Sequence, residues 1–294
     1  NSGAEAVEAA MKFARKFTGK KGMVAMKGSY HGKSFGALSL TFNPKYRKAF
    51  APLVEKVSFA SFGDMDSLRS VIDEDTAFII LEPIQGESGI VVAPDGFLQE
   101  VRKLCDEKGI LLVFDEIQAG LGRTGRLWAG EHWNTVPDIL CLAKGIAGGV
   151  PMGATLVKPG ILAAISKGEH SSTFGGNPIS CAAGIAALTS LTEDGLIENS
   201  KKMGEIFREG LEKLKEKHTM IREIRGKGLM IGIEMKFEVK DILMGLIDEG
   251  VLMLYSGRNI LRILPPLVIK EEDVTKVLHA LDVVITKEEE KRNV

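Results

Sequence analysis

A lysine follows an apolar segment and precedes a glycine-rich run. Lys144 comes after residues 139–143 and enters residues 145–149. Burial disfavours the ammonium form of an amine, so a lysine held there can act as a nucleophile near neutral pH and form a Schiff base with a carbonyl compound. The same position also suits a lysine that extends its charge to solvent from the end of a strand.

An aspartate lies near the end of the preceding apolar segment, residues 110–117. Asp115 is the first charged residue of that segment. A buried carboxylate needs a cation or hydrogen-bond donors beside it. The protonated pyridine nitrogen of pyridoxal phosphate (PLP) is such a partner, because the cofactor needs that proton to act as an electron sink. A helix cap or a structural salt bridge is the alternative explanation for Asp115.

Two further features could bind a phosphate group. Ser2, Gly3 and Ala4 precede a predicted helix over residues 5–17, in which Ala and Phe recur at intervals of three and four. Backbone N–H groups and the helix dipole converge at such a start and attract anions. Thr173 lies in a glycine-rich turn and could donate to phosphate. Either feature also occurs in ordinary loops.

The elements that must position these residues follow from the apolar pattern. The strong strand candidates of the first part are residues 77–84, 110–117 and 139–143, and residues 23–26 are a short apolar candidate before them. A helical pattern over residues 97–107 separates the first two strong candidates, which predicts an α/β fold with a mostly parallel sheet covered on both faces. Ligands bind at the carboxyl ends of such strands, where Glu82, Asp115 and Lys144 lie.

The C-terminal part has a different pattern. A long helical stretch over residues 179–217 is followed by strand candidates and a final helix from about Glu271. The strand candidates are residues 230–235, 251–255 and 260–264. Segregated strands and helices predict a separate α+β domain. We therefore predict a large domain over residues 1–190 and a smaller one over residues 191–294.

Composition excludes several classes of function. The 294 residues are 45% apolar and 26% charged with a net charge of −1, which argues against nucleic acid or an anionic membrane as a partner. Cys105, Cys141 and Cys181 have no metal-ligand spacing, so no metal is predicted. They fit reduced, buried thiols in a cytoplasmic protein. The chain opens on Asn1 rather than Met, from which we expect that an N-terminal segment is missing.

Seven motifs in one order resemble the class III aminotransferases of the acetylornithine and ornithine type. The motifs are SGAE, GSYHGKSFGAL, EPIQGESG, FDEIQAGLGRTG, LAKGIAGG, STFGGNP and LRILPPLVI. The resemblance covers nearly the whole chain and lacks only the family's N-terminal segment. It implies a PLP-dependent transferase of fold type I, the aspartate-aminotransferase type.

The resemblance also implies roles for the residues that face the cofactor. Lys144 matches the Schiff-base lysine and proton shuttle, and Asp115 matches the partner of the pyridine nitrogen. Gln118 matches the donor to the phenolic oxygen. Tyr30 and Ile117 match the residues that pack on the two faces of the ring. His31 follows Tyr30, and the resemblance assigns it no role.

The same resemblance implies that binding of the cofactor phosphate depends on assembly of two subunits. Ser2, Gly3 and Ala4 match the phosphate turn. Thr173 matches the residue that reaches the phosphate of the neighbouring subunit, which implies a homodimer with shared active sites.

Two charged residues match the substrate-binding positions of the family. Arg262 matches the arginine that binds the α-carboxylate of glutamate, and Glu87 the carboxylate that pairs with this arginine when the other substrate is bound. Such an exchange lets one site accept an α-amino donor and a terminal-amine substrate. The alternative for Arg262 is a surface charge on an edge strand.

The implied reaction is transfer of an amino group from glutamate to an aldehyde, free or linked to a carrier protein. Candidate substrates are N-acetylornithine and carrier-linked lysine or ornithine, in arginine or lysine biosynthesis. Sparse glutamine with many Lys and Glu residues fits a thermophile, in which the lysine-pathway version is plausible. The alternatives are an ornithine or 4-aminobutyrate aminotransferase, a PLP-dependent aminomutase, or an inactive fragment with a role in assembly.

One motif points to another cofactor. Residues 120–125 match G-x-G-x-x-G, the dinucleotide fingerprint, after an apolar strand. Five residues intervene between strand and glycines, and no helical pattern follows them. We therefore reject a nicotinamide cofactor.

Overall fold

The computed structural model describes residues 1–292. The α-helices are α1 Gly3–Thr18, α2 Phe35–Leu40, α3 Pro44–Arg47, α4 Met65–Val71, α5 Phe97–Lys108, α6 Pro159–Ala163, α7 Pro178–Glu193, α8 Leu196–Lys217, α9 Lys240–Asp248 and α10 Glu271–Arg292. The strands are β1 Gly22–Met26, β2 Val57–Ala60, β3 Thr76–Leu81, β4 Ile84–Gln85, β5 Val91–Val92, β6 Leu111–Asp115, β7 Ile139–Leu142, β8 Ala154–Val157, β9 Ile221–Lys227, β10 Met230–Met235, β11 Leu254–Ser256 and β12 Ile260–Ile263. Short 3-10 helices cover Lys48–Phe50, Ala129–Trp133 and Lys144–Ala147.

The first sheet has six strands in the order β2-β1-β3-β6-β7-β8 within the described residues. Its pairs are parallel except for β8, which runs antiparallel to β7. Every residue of β3 and β6 is buried, because helices cover both faces. Phe78 of β3 packs in one core with Val7 of α1, whereas its neighbour Ile79 packs in another with Leu98 of α5. The predicted mostly parallel sheet is confirmed.

The second sheet is antiparallel, in the order β11-β12-β10-β9. Its core holds Ile231 and Ile233 of β10 together with Phe207 of α8, Leu246 of α9 and Leu281 of α10. The helices therefore cover this sheet as an α+β arrangement.

Several predicted boundaries are wrong. The helical stretch over residues 179–217 is two helices, which end and restart around Gly195, where φ is +70°. The strand predicted over residues 77–84 ends at Leu81. Glu82 follows it, and Pro83, which has no N–H group, precedes the short β4. Strand β9 and helix α9 were not predicted: β9 carries charged residues without an apolar run, and α9 is a short helix of nine residues.

The prediction of three buried thiols is wrong for one of them. Cys105 and Cys141 are buried, but Cys181 on α7 is partly exposed.

The boundary predicted at residue 190 lies in the last turn of α7. The strands of the first sheet precede it and those of the second follow it. The division into two domains stays a prediction. Within residues 1–292, no helix combines the length and the apolar composition that a membrane crossing requires.

Candidate active site

A cavity of about 400 Å³ lies at the carboxyl ends of the parallel strands. Nine of the residues predicted from the sequence line it: Ser2, Gly3, Ala4, Tyr30, Glu87, Asp115, Ile117, Gln118 and Lys144. His31 and Glu82 line it as well. Residues from distant parts of the chain meet here because consecutive parallel strands end at one edge of the sheet.

Lys144 begins the 3-10 helix that follows β7. Its φ of +47° lies in the left-handed region that a side chain with a Cβ rarely adopts. The side chain is open to the cavity, and the surrounding walls remove part of the hydration of its amine. This partial loss of hydration lowers the pKa of Lys144, while the carboxylates of Asp115 and Glu82 act in the opposite direction. The amine is thus a better nucleophile than an ordinary surface lysine.

Asp115 ends β6 and is bound from two sides. Its Oδ2 lies 2.7 Å from Nδ1 of His31, and its Oδ1 accepts from the backbone N–H of Ile117 at 3.1 Å. Both Asp115 and His31 are buried. Because a carboxylate only accepts, the Nδ1 of His31 carries the proton of this contact. His31, for which no role was predicted, therefore holds Asp115 in a fixed orientation at the cavity wall.

Glu82 follows β3. The sequence analysis predicted its position at this edge of the sheet but assigned it no role. Its carboxylate accepts from the backbone N–H of Tyr30 at 3.0 Å and from that of Gly86 at 3.2 Å. Burial raises the pKa of Glu82 to about 7, with a smaller lowering contribution from His31 and a smaller raising one from Asp115. Glu82 thereby ties together two backbone segments of the cavity.

The start of α1 forms another wall of the cavity. Ser2 caps the helix by accepting from the N–H of Glu5 at 3.3 Å. The first N–H groups of a helix have no partner within it, so those of Gly3 and Ala4 are available to an anion. A Cβ at Gly3 would lie 2.8 Å from Cδ1 of Ile117, which leaves no room for a side chain there. The backbone itself therefore lines the cavity at this point.

Tyr30 and Ile117 contribute the less polar walls. The Tyr30 ring is half-buried and contacts Tyr46 edge to face, with ring centroids 5.9 Å apart. Burial, followed by the charge of Glu87, raises the pKa of Tyr30. The phenol therefore stays protonated.

Glu87 and Arg262 form an ion pair at the rim. Arg262 Nη1 lies 2.9 Å from Oε1 of Glu87, and Arg262 Nη2 lies 3.4 Å from Oε1 of Gln118. Arg262 is 5% exposed, and its strand β12 lies inside the second sheet between β11 and β10. The alternative of a surface charge on an edge strand is therefore wrong. The loop of Glu87 is held by Ser256, whose hydroxyl donates to the Glu87 carbonyl.

Thr173 is not brought to this cavity. It is exposed in the loop before α7, and it does not line the space beside Lys144. The same loop and helix expose large apolar side chains: Phe174, Ile179 and Ile185.

The glycine-rich segment over residues 120–125 forms turns rather than the start of an α-helix. Gly125 donates to the carbonyl of Gly122 at 3.0 Å, and the next helical element is the 3-10 helix Ala129–Trp133. A dinucleotide fold requires an α-helix whose N-terminus faces the pyrophosphate. The geometry agrees with the rejection of a nicotinamide cofactor.

The family model described as aminotransferase class-III matches residues 1–285. The chain belongs to the class III aminotransferases. Family membership makes it an enzyme of this type and implies PLP as its cofactor. The recognition made from the motifs is confirmed, and so is the predicted fold type, since PLP-dependent aminotransferases share the structure.

Named relatives and solved structures agree. The chain is 45% identical over 293 residues to an acetylornithine aminotransferase of Caldanaerobacter subterraneus, covering 97% of this chain and 74% of that protein. It is 44% identical over 292 residues to a LysW-aminoadipate semialdehyde/glutamate semialdehyde transaminase of Sulfurisphaera tokodaii, covering 99% and 75%. The ornithine aminotransferase of Toxoplasma gondii, whose structure has partial occupancy of PLP, superposes with a TM-score of 0.96 at 33% identity, covering 100% and 73%.

Proposed function

We propose that this chain carries out PLP-dependent transamination between glutamate and a terminal-amine substrate such as N-acetylornithine or carrier-linked lysine or ornithine. The observation that carries the proposal is one cavity lined by Lys144, Asp115 and Glu87, with Arg262, which is not itself in the lining, paired to Glu87. The names of the relatives support arginine or lysine biosynthesis as the setting.

The residues present fit PLP. The amine of Lys144 would hold the cofactor covalently, and Asp115 would face its pyridine nitrogen. The first N–H groups of α1 would bind its phosphate. Tyr30 and Ile117 would pack on the ring, and Gln118 would reach its phenolic oxygen. When bound, PLP supplies the electron sink that makes the Cα–H of an amino acid acidic.

The chain's own residues would then move one proton and orient two substrates. The Nζ of Lys144, with its lowered pKa, would accept the proton from Cα of the substrate and later donate it back. Asp115, held by His31 at 2.7 Å, would keep its negative charge directed at the ring. Arg262 would bind the α-carboxylate of glutamate after Glu87 moves away, and Glu87 would neutralise Arg262 for a substrate without that carboxylate.

The absorption spectrum of the PLP-saturated protein tests this proposal. A yellow band that L-glutamate bleaches is expected, and Lys144→Ala should abolish it. Lys158→Ala, which changes a lysine outside the cavity, is the matched control. A protein that stays colourless with added PLP, or a band that survives in Lys144→Ala, contradicts the proposed role of Lys144.

Kinetics with N-acetylornithine, ornithine and 4-aminobutyrate separate the substrate classes. Higher kcat/KM for N-acetylornithine or a carrier-linked amine supports the proposal. Comparable efficiency on 4-aminobutyrate contradicts it. An aminomutase is disfavoured because it has no use for the exchange between Glu87 and Arg262.

We also propose a homodimer in which Thr173 reaches the phosphate site of the other subunit. Its exposed position outside its own cavity, beside the exposed Ile179 and Ile185, supports this arrangement. Mixing inactive Lys144→Ala with a Thr173→Ala variant tests it. Shared sites restore up to about a quarter of the activity, because one site in each mixed dimer is intact. A mixture that is no more active than the two separate variants contradicts shared active sites.

A further inference from the structure

A second cavity, about 500 Å³ in volume, lies between the loop after β6 and the elements α8, β9 and β10. Its charged lining consists of Arg126, Lys201, Arg208 and Lys227 with the single carboxylate Glu205. We call it the basic cavity. The proposed function uses none of these residues.

The basic cavity concentrates positive charge in a chain whose net charge is −1. Among residues 1–292, the one ion pair that its four cations make within 4.0 Å is Lys201 with Glu198, at 3.9 Å. That pair is exposed and contributes little. The lining supplies one carboxylate, that of Glu205, against four cations, so an anion bound between the cations would be stabilised by their combined charge.

Two of the cations are held in place. The Lys227 ammonium lies 5.3 Å from the centroid of the Trp133 ring, and the Arg208 guanidinium donates to the carbonyl of Gly226 at 2.7 Å. Arg208 keeps its remaining N–H donors for another acceptor, since a guanidinium has five. Binding would therefore cost less side-chain entropy than on a surface of mobile lysines.

The positive charge of the basic cavity also affects a neighbouring histidine. His132 lines the cavity, and its Nε2 lies 3.1 Å from the Thr124 carbonyl. Burial, followed by the charges of Lys227 and Arg126, lowers the pKa of His132 to about 4. The ring is thus neutral and adds a polar wall without adding charge.

We propose that the basic cavity binds a compact small-molecule anion with two or more negative charges, such as a phosphate ester or a polycarboxylate. Arg126 approaches the site from the loop after β6, whereas Lys201, Arg208 and Lys227 belong to α8 and β9. A bound anion would bridge these two parts of the chain. A cavity of about 500 Å³ suits a small anion better than a nucleic acid, whose phosphates are bound along an extended basic surface.

Calorimetric titration with inorganic pyrophosphate, and separately with citrate, tests the proposal. The protein is first saturated with PLP, so that the phosphate site of the first cavity is occupied. The double variant Arg208→Gln/Lys227→Gln removes two charges from the basic cavity. The control Lys202→Gln/Lys213→Gln removes two exposed charges from the same helix α8 outside the cavity.

Binding of either probe to the unaltered protein and to the control, weakened about tenfold or more in the double variant, supports the proposal. The probe that binds more tightly identifies phosphate or carboxylate chemistry. If the double variant fails to fold, Arg126→Gln takes its place in the test. Arg126 is at an exposed position, and its substitution should also weaken binding. No heat of binding with either probe, or equal affinity in the control and the cavity variants, overturns it. Neither result depends on transaminase activity.

Discussion

Glu87→Gln should change which substrate the site prefers. The substitution removes the charge of Glu87 and keeps the length of the side chain. In the protein, Glu87 Oε1 lies 2.9 Å from Arg262 Nη1, with the Arg262 side chain 6% exposed and that of Glu87 42% exposed. A carboxylate of glutamate that approaches Arg262 must displace Glu87, and the variant weakens this competitor.

The magnitude follows from the partial exposure of the pair. Solvent screens Glu87, so its net attraction to Arg262 is about 1 kcal/mol, or roughly fivefold in an equilibrium constant. We expect kcat/KM for glutamate to rise by this factor. For a terminal-amine substrate, the loss of the neutralising charge beside buried Arg262 should lower kcat/KM by at least as much. The ratio of the two should therefore shift by roughly 25-fold, the product of the two factors.

Single-turnover spectroscopy measures each half-reaction separately. The yellow band of the PLP-loaded protein is followed after addition of L-glutamate, and in a second series after addition of N-acetylornithine. Glu249→Gln is a matched control, because Glu249 forms an ion pair of the same length, 2.9 Å, with Lys287 far along the sequence from the site.

A ratio that does not change in Glu87→Gln refutes the reasoning. Equal losses in both half-reactions would show that Glu87 only maintains the loop that Ser256 holds, and has no part in exchange between substrates. A shift of the same size in Glu249→Gln would point to a general effect of charge.

Three further substitutions have defined outcomes. Gly86→Ala should lower the single-turnover rate roughly tenfold to a hundredfold, because the added Cβ would collide with the Gln118 amide and displace it. Glu116→Gln should reduce the loss of stability that we expect as pH rises. Burial raises the Glu116 pKa from 4.5 to about 7. The contribution of Glu116 to the free energy of unfolding is therefore greatest below pH 4.5 and declines by about 3 kcal/mol as the pH rises through 7. His218→Gln should lower the free energy of unfolding by about 2 kcal/mol, because both ring nitrogens of this buried histidine contact carboxylates of α10, at 2.8 and 2.6 Å.

Each outcome has a control. Gly160→Ala should leave the rate unchanged, since nothing lies within 4 Å of a Cβ there, and an equal loss would contradict the steric explanation. Urea unfolding at pH 5 and pH 8 measures the Glu116 effect, and parallel losses in variant and unaltered protein would count against it. His279→Gln, on the exposed side of α10, should cost less than His218→Gln, and equal costs would contradict the proposed contacts.

Local sequence was sufficient for the residues that end the buried strands. Asp115 and Lys144 each follow a continuous apolar run, and the ends of parallel strands share one edge of the sheet. A helix near the start of the chain was likewise predicted from the apolar spacing of residues 5–17, although it begins at Gly3 and Ser2 is its cap. The family motifs supplied the remaining roles, which the fold alone does not give.

Pairings between distant segments were decided by the tertiary structure. His31 and Asp115 are 84 residues apart in sequence, and Glu87 and Arg262 are 175 apart. No pattern within either segment states which partner it meets. The function of His31 was therefore missed from the residues alone, as was the bond of Glu82 to two backbone N–H groups.

The second sheet shows the same limit in another form. Strand β9 mixes buried, partly buried and exposed positions and carries charged residues, so no apolar run marks it. Its identity as a strand depends on pairing with β10, whose apolar sequence was recognised. The sequence by itself determined the buried strands and the reactive groups at their ends, because burial imposes a continuous apolar pattern. Only folding decides which distant charged residues pair, because the local sequence pattern of one segment does not identify the segment that it contacts.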